Sequence, residues 1–282
     1  MQKFSHQDIV DYYDQTEEHY RMWWKMEKSM GLHYGVWDEN TKTLDQSVIN
    51  LNKQLSNLVE IGSGSKVLDA GCGVGGSSFY LAKQFDCATT GITLSEKQVN
   101  TATKFAKDLG LENNCKFRQC SYTETPFENG SFDFCWAIES FGSAIKKEDF
   151  FKEMHRILNT QGKILIADTF KSFPFPIEEH TDMQQMLNPW AISDILSKQE
   201  LVEMANQFGF HLITERDVTA QIRKSVDRMY YASIAGMIGT KIYNFFKDAS
   251  RFSKIHYKSG LAQKKTYKEG KWKYLLFAFE KV

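Results

Sequence analysis

Residues 67–76 read VLDAGCGVGG, and residues 77–85 continue as SSFYLAKQF. An apolar, β-branched start passes through an acid into a run of glycines, and a helical pattern follows. The pattern predicts a buried strand, a tight turn and the N-terminus of a helix above the turn. Backbone N–H groups in such a turn can approach a ligand closely, because its glycines have no Cβ. These glycines are Gly71, Gly73, Gly75 and Gly76.

The same stretch satisfies the G-x-G-x-x-G pattern of dinucleotide-binding folds, but its surroundings argue against a nicotinamide cofactor. A dinucleotide site needs an acid about 20 residues further on, where it binds the ribose hydroxyls. The second predicted strand, CATTGITL at 87–94, ends without an acid, and Glu96 already belongs to the next helical pattern. Asp69, two residues before Gly71, lies at the end of the first strand. There it suits a cationic ligand, such as an α-amino group next to a sulfonium.

Asp69 and the glycines after it have the form acid-x-Gly-x-Gly-x-Gly, which resembles the first motif of the class I S-adenosylmethionine (SAM) methyltransferases. The resemblance implies a SAM-dependent enzyme with an α/β fold, whose doubly wound, mostly parallel seven-stranded sheet ends in an antiparallel strand. The alternation of strand and helix patterns also favours a doubly wound parallel sheet. On matching positions, the resemblance implies cofactor contacts from five residues. These are Asp69, Gly71, Cys72, Gly73 and Gly75.

Two further segments resemble a narrower group of enzymes. YDQTEEHYRMWW at 13–24, followed by HYGVWD at 33–38, resembles the N-terminal region of the sterol and tocopherol C-methyltransferases and their isoprenoid-methylating relatives. TLSEKQ at 93–98 resembles the segment after the second strand in cyclopropane-fatty-acid synthases and tocopherol-type enzymes. That resemblance implies contacts with the ribose and adenine side of SAM. The residues concerned are Thr93, Leu94, Ser95 and Gln98.

Some of these residues also have a purely local explanation. Ser95 and Gln98 have the S-x-x-Q spacing of a helix capping box, and the two roles are compatible. Many relatives carry an acid after the third strand, which binds the adenine amino group. This chain has Ser121 and Tyr122 at that place, and we expect them at the cofactor. Tyr34, in the loop between the N-terminal helix and the core, is a further expected cofactor contact.

Three residues are candidates for catalysis. Glu139 follows the fourth predicted strand, FDFCWAI at 132–138, where cyclopropane synthases carry Glu-His. The resemblance places this acid beside the transferred methyl group, although it could also cap the next helix. His33 lies in the loop that returns to the core. His180, in an EEH cluster within 173–194, is either a base or a solvated loop histidine.

Length and composition favour one domain with additions. The chain has 282 residues, of which 42% are hydrophobic and 25% charged, as in an ordinary globular protein. We therefore expect a single methyltransferase domain over 1–282. Residues 1–42 are rich in aromatic side chains at helical spacing, and they form either a lid over the cofactor or a simple cover for the core. Residues 220–265, before the last predicted strand, form a helical cap.

Charge and motifs restrict the partners and the location. The net charge is zero and no base-flipping motif is present, so a nucleic-acid partner is not expected. No apolar run approaches the ~18 residues of a membrane span, and the N-terminus does not resemble a signal peptide. We therefore expect a cytoplasmic protein without an integral membrane segment. No tight Asp/His cluster indicates a metal site, and a homo-oligomer is compatible with the sequence.

The C-terminal quarter is basic, since residues 220–282 contain 14 Lys and Arg against 4 Asp and Glu. These cations either solvate a helix face or attract an anionic head group or membrane surface. Arg223, Lys224 and Arg228 lie where the cap begins. With the aromatic N-terminus, they suggest a small, hydrophobic acceptor that carries an anionic or polar head.

Three hypotheses for the activity follow. Carbon methylation of an isoprenoid or related lipid is the first, because aromatic faces can stabilise the carbocation that forms when an alkene is methylated. N- or O-methylation of a small polar metabolite is the second. The third is a protein that binds SAM without transferring its methyl group.

Overall fold

Seven strands form one sheet. The computed structural model describes residues 3–246 and 250–282, with the side chains of 239–246 excluded. The strands are β1 Lys66–Ala70, β2 Ala88–Thr93, β3 Cys115–Gln119, β4 Phe132–Ile138, β5 Leu158–Lys171, β6 Phe210–Asp217 and β7 Trp272–Lys281. Their order is β3-β2-β1-β4-β5-β7-β6, and only β7 is antiparallel to its neighbours β5 and β6. The predicted doubly wound, mostly parallel seven-stranded sheet is therefore confirmed.

Helices connect and cover these strands. They are α1 His6–Trp24, α2 Met26–Ser29, α3 Leu44–Ser56, α4 Gly76–Phe85, α5 Glu96–Asp108, α6 Lys147–Ile157, α7 Thr181–Leu187, α8 Lys198–Gln207, α9 Arg223–Phe246 and α10 Arg251–Lys268. Short 3₁₀ turns span Phe141–Ser143, Ile177–Glu179 and Asn188–Trp190. Within the described residues, no helix combines the length and the apolar character that a bilayer crossing requires.

The alternation of side chains along each strand divides the core into two layers. In β1, Val67 packs into a cluster that contains Leu51 and Leu55 of α3, whereas the adjacent Leu68 packs with Phe150 of α6. All five side chains are buried. Burying one such side chain stabilises the fold by about 1.5–3 kcal/mol. Both faces of the sheet therefore need helices, and the doubly wound architecture follows from the strand sequences.

The strand order reverses between β1 and β4. β2 and β3 lie on one side of β1, and β4, β5, β7 and β6 lie on the other. Ligands of open α/β sheets bind outside the carboxyl ends of the strands at such a switch point. The glycine turn, defined here as residues 71–75, lies at this point between β1 and α4.

The aromatic helix predicted near the N-terminus is α1. It begins with a capping box in which the side chains of Ser5 and Asp8 each accept a hydrogen bond from the other residue's backbone N–H. One face of α1 belongs to a separate hydrophobic cluster that includes α10. Its members include Ile9, Tyr12, Tyr20, Trp24 and Phe252. The helix therefore joins the core to the C-terminal part of the chain.

The helical cap consists of two helices, where the sequence indicated one. α9 and α10 pack against each other, and the cap extends to Lys268 instead of ending at 265. A single helix from Arg223 to Lys268 would be about 69 Å long at 1.5 Å per residue, which exceeds the diameter of a domain this size. Residues 247–249 of the predicted cap, like residues 1–2 of the predicted lid, lie outside the described residues.

Candidate active site

The carboxyl ends of β1, β2 and β4 border a cavity that we call the first cavity. Residues of α1 and of the loop after it complete its wall. Twelve of the fifteen residues that the sequence indicated line this cavity. They are His33, Asp69, Gly71, Cys72, Gly73, Thr93, Leu94, Ser95, Gln98, Ser121, Tyr122 and Glu139.

The glycine turn needs its glycines for two different reasons. Gly71, Gly73 and Gly75 have φ of +86°, +53° and +92°, a region that costs other residues about 1–2 kcal/mol. A Cβ on Gly71 would also lie 2.3 Å from the Cβ of Ser140, which follows β4. Gly75 does not line the first cavity, and the rings of Phe117 and Phe79 occupy the space beside it. The sequence thus placed Gly75 correctly in the turn, but its contacts are with the core.

Asp69 presents a carboxylate at the end of β1. It is 3% exposed and accepts a hydrogen bond of 2.7 Å from the Ser78 hydroxyl on α4. Burial raises the pKa of Asp69 to about 6. An acid in this position would be stabilised in its ionised form by a cationic ligand in the first cavity. The side chain and the glycine turn beside it therefore fit the amino-acid part of SAM.

The TLSEKQ segment forms the start of α5 at the first cavity. Ser95 Oγ accepts a hydrogen bond from Gln98 N at 3.2 Å, which is one half of the predicted capping box. The other half is absent, because Gln98 Oε1 accepts a hydrogen bond from the Thr93 hydroxyl at 2.6 Å instead. Ser95 also donates to Asp14 of α1 at 2.7 Å. The segment thus connects the second strand to the N-terminal helix.

Ser121 and Tyr122 lie side by side in the wall of the first cavity. The Tyr122 hydroxyl donates to the Ser140 carbonyl oxygen at 2.7 Å, and Ser121 Oγ is 2.7 Å from Thr123 Oγ1. Both side chains are therefore held by neighbours, and neither supplies the carboxylate that many relatives use at this place.

Glu139 lies where the first cavity meets a second one. Its backbone has φ of +48°, an uncommon and strained value for a glutamate. Its Oε1 accepts hydrogen bonds of 2.7 Å from the Tyr34 backbone N–H and from the Tyr274 hydroxyl. Removal from bulk water raises the pKa of Glu139 to about 8. Glu139 lines both cavities.

The second cavity has a largely aromatic wall. The rings come from Tyr12, Tyr13, Tyr20, Tyr34 and Trp190. Aliphatic side chains such as Leu32, Leu187 and Met229 complete the apolar part. Tyr13, Leu32, Glu139 and Ser143 belong to the first cavity as well. The two cavities are therefore adjacent, and they meet at a carboxylate.

Carboxylates supply the charge in the second cavity. Besides Glu139, it contains Asp168, which accepts hydrogen bonds from the backbone N–H of Gly142 at 2.9 Å and of Thr169 at 2.7 Å. Burial raises the pKa of Asp168 to about 6. Among the lining residues that the structure describes there is no Lys or Arg. The described wall of the second cavity therefore carries acidic groups and no basic ones.

Three predicted site residues lie elsewhere or act differently. Tyr34 lines the second cavity, and its hydroxyl donates to Gln263 of α10. His33 lines the first cavity, donates through Nδ1 to the Tyr34 carbonyl at 2.8 Å, and has a pKa lowered to about 4 by burial. His180 lines neither cavity, because it precedes α7 and packs its ring 4.5 Å from that of Phe175. We therefore withdraw His180 as a candidate base.

The basic residues at the start of the cap line neither cavity, and two of them contact other parts of the protein. Arg228 donates to the Trp23 carbonyl oxygen at the end of α1, from Nε at 3.0 Å and from a terminal nitrogen at 2.5 Å. The Lys224 ammonium lies 5.2 Å from the centre of the Trp37 ring, and Arg223 is exposed. These contacts stabilise the cap, and an anionic head group inside the second cavity would not meet them.

Two groups of cavity residues were not named as site residues, although the sequence carried a signal for each. His6, Ile9, Val10 and Tyr13 line the first cavity and have the i, i+3, i+4, i+7 spacing of one helix face. Asp168 lies near the carboxyl end of the strand pattern KILIADTF, as Asp69 does in VLDAG. Such a position near the end of a strand was one part of the argument that selected Asp69.

Comparison with known proteins agrees with this geometry. A family profile described as "Methyltransferase domain" matches residues 61–228, which is more than half of the chain. The chain belongs to the methyltransferase-domain family. The predicted SAM-dependent methyltransferase with a class I fold is thereby confirmed at the level of family and fold.

Several relatives are similar over much of the chain. The 27-O-demethylrifamycin SV methyltransferase of Amycolatopsis mediterranei (strain S699) is 27% identical over 69% of this chain and 71% of that protein. The 24-methylenesterol C-methyltransferase 2 of Arabidopsis thaliana is 30% identical over 58% of this chain, but the match spans only 46% of the plant enzyme. A solved geranyl diphosphate methyltransferase, in complex with GPP and sinefungin, has a TM-score of 0.77. At 21% identity over 98% of this chain and 99% of that one, it supports the fold alone.

The glycine turn predicts a difference between two substitutions. Gly73→Ala should lower the free energy of unfolding by about 1–2 kcal/mol, because only the left-handed backbone opposes it. Gly71→Ala should cost about 1–3 kcal/mol more, since its Cβ also meets Ser140 at 2.3 Å. Urea unfolding of both variants measures the difference. Equal losses would show that the contact with Ser140 is unimportant.

The raised pKa of Glu139 predicts how stability depends on pH. Below a pH of about 4.5 the Glu139 carboxyl is protonated in both the folded and the unfolded state. Between about 4.5 and 8 it ionises only in the unfolded state. The unfolded state then binds fewer protons, so stability should fall as the pH rises through this window. Glu139→Gln should show a smaller fall, and the exposed Glu39→Gln should behave like the wild type. Chemical unfolding at several pH values measures this, and parallel curves for Glu139→Gln would contradict it.

Proposed function

We propose that this enzyme transfers a methyl group from SAM in the first cavity to a small, largely hydrophobic acceptor in the second. Carbon methylation of an isoprenoid or related lipid is the reaction that the site supports best. The observation that carries the proposal is the position of Glu139 in the wall that the two cavities share. Methyl donor and acceptor would have to meet there, beside a group that can take a proton.

The residues of the first cavity suit SAM at each of its parts. Asp69 would bind the amino group of the methionine portion of SAM. The glycines of the turn would let its backbone lie close to SAM. Thr93, Gln98 and the residues after β3 would surround the ribose and adenine. When bound, SAM supplies an electrophilic methyl group on a sulfonium. The protein's main contribution is alignment in a dry site, which is worth as much as ~7–11 kcal/mol in well-oriented systems.

The second cavity suits an acceptor on which positive charge develops. The faces of Tyr12, Tyr13 and Tyr34 can stabilise a cation, and Asp168 adds a fixed carboxylate. A cation beside Glu139 would also lower the pKa of its carboxyl, so that the carboxylate forms when it is needed. Glu139 could then remove the proton that completes an alkene methylation.

N- or O-methylation of a polar metabolite is the alternative. The similarity to a rifamycin O-methyltransferase favours it, and Glu139 could equally accept a proton from a hydroxyl or an ammonium group. The aromatic wall argues for the hydrophobic acceptor. The absence of Lys and Arg from its described lining argues against a diphosphate in the second cavity itself, although the solved neighbour was crystallised with GPP. We therefore propose a neutral or amine-bearing head there.

The test uses labelled SAM and a panel of isoprenoid diphosphates, sterols, quinones and amines. Glu139→Gln should reduce turnover of the accepted compound by about 10²–10⁴-fold, the usual contribution of a general base. SAM affinity, measured by calorimetry, should stay within about twofold of the wild type, whereas Asp69→Ala should weaken it severely. Unchanged turnover in Glu139→Gln would remove Glu139 from the mechanism and favour a transfer that needs no base. SAM binding without transfer to any compound would favour the binding-protein hypothesis.

We also propose that residues 1–42 act as a lid that SAM stabilises. α1 lines both cavities, and it is joined to the start of α5 by Asp14 with Ser95 and by a 2.7 Å ion pair between Glu17 and Lys97. Bound cofactor would contact both sides of this junction. The lid should therefore exchange its amide hydrogens more slowly when SAM is bound.

Hydrogen exchange with and without SAM measures this protection. Asp14→Ala should speed exchange in α1 in the absence of SAM, because it removes the hydrogen bond from Ser95. Glu18→Gln is the matched control on the same helix, since its side chain is exposed. Equal exchange rates in α1 with and without SAM would rule out the lid.

A further inference from the structure

A third cavity lies between α1, α9 and α10. The reaction proposed above gives it no role. Tyr20 and Met229 belong to its wall and also to the wall of the second cavity. The two cavities are thus neighbours, separated by one aromatic and one flexible side chain.

α1 runs along all three cavities in order. Tyr13 lines the first and second cavities, and Tyr20 lines the second and third. Of these three cavities, Trp23 and Trp24 line only the third. At 1.5 Å per residue, Tyr13 and Tyr20 are about 10 Å apart along the helix axis, and Trp24 is about 6 Å beyond. An acceptor that reaches from the methyl group past Tyr20 would therefore extend into the third cavity.

The wall of the third cavity is apolar in effect, although it contains polar residues. The hydroxyl of Ser253 donates to the Gln15 carbonyl and that of Ser259 to the His256 carbonyl, both at 2.7 Å. The imidazoles of His19 and His256 hydrogen-bond each other through Nδ1 at 2.9 Å. No Lys, Arg, Asp or Glu occurs among the lining residues that the structure describes.

We infer that the third cavity is a second acceptor subsite, which binds the distal hydrocarbon part of an elongated acceptor. Tyr20 and Met229 form the passage between the two subsites. The Tyr20 hydroxyl lies 2.5 Å from that of Tyr12, so the aromatic side of the passage is fixed while the methionine side can adapt. The inference rests on the proposed function, because it extends the acceptor site by a subsite that sets the length of the acceptor.

Gly236 on α9 offers a way to fill this subsite. It lines the third cavity, and a Cβ built on it meets nothing within 4 Å. Gly236→Leu should therefore fill space without a clash, and replacing a helical glycine should not weaken α9. Ala235→Leu is the matched control, since Ala235 is the preceding residue and is exposed. Ala232→Leu is a second filling variant on the same wall.

The experiment is calorimetric titration with the n-alkanols from hexanol to decanol, with and without SAM. In the wild type and in Ala235→Leu, each added methylene should tighten binding about fourfold, as for a buried CH₂ group. In Gly236→Leu and Ala232→Leu the gain should stop at a shorter chain. Decanol should then bind at least about tenfold more weakly than to the wild type.

The outcomes separate this inference from the proposed function. The same length dependence in the filling variants as in Ala235→Leu would overturn the second subsite, while alkanol binding itself would still support a hydrophobic acceptor. No binding of any alkanol to the wild type would overturn both. Loss of SAM binding in a filling variant would show that the substitution acts beyond the third cavity, and would contradict the separation of the subsites.

Discussion

The contact between two turns organises the site. The first is the glycine turn after β1, and the second begins at Glu139 after β4. Ser140 occupies the space that a Cβ on Gly71 would need, and its hydroxyl donates to the Ala70 carbonyl at 2.5 Å. Because β1 and β4 are neighbouring parallel strands, their ends are already close, and this hydrogen bond fixes one turn against the other. The carboxyl of Glu139 is thereby held at a fixed place relative to the glycine turn.

Such a contact explains why the strained backbone of Glu139 is retained. A glutamate with φ of +48° costs of order 1–3 kcal/mol, and it persists only where surrounding contacts determine it. Here the Tyr34 backbone and the Tyr274 hydroxyl both donate to its carboxyl, and the next residue, Ser140, is held by its hydrogen bond to Ala70. These donors come from the loop after the N-terminal helix and from β7, which are distant in sequence. The acid is therefore positioned by the assembled fold.

The local part of this arrangement could be predicted from the sequence. Strand and helix patterns, the glycine spacing and the acid at the end of β1 are written within a few consecutive residues. Most of the first cavity follows from them, because parallel strands bring their carboxyl ends to one edge. Gly75, Tyr34 and His180 were placed less well, since what each side chain contacts depends on segments far away in the sequence. No local pattern reports that Phe117 fills the space beside Gly75, or that His180 packs on Phe175.

The contacts of the cap residues likewise could not be predicted from the local sequence. The sequence indicated helical and basic character correctly, but a basic helix face has no preferred partner until the fold places one. In the structure Arg228 binds the last turn of α1, where a helix carries partial negative charge on its free carbonyl groups. Arg228 thus stabilises the N-terminal helix.

Because Arg228 and Lys224 contact other parts of the protein, they do not belong to the wall of the second cavity. The described wall of the second cavity keeps only carboxylates as its charged groups, and burial raises the pKa of both Glu139 and Asp168. Burial destabilises the anionic form of both carboxyl groups, although Lys147 offsets part of this effect for Asp168. A positively charged species in the cavity would therefore stabilise both carboxylates further. A site of this kind stabilises a reaction in which positive charge appears on the acceptor and is then removed with a proton. These electrostatics and the aromatic wall therefore support the proposed carbon methylation more than they support binding of an anion.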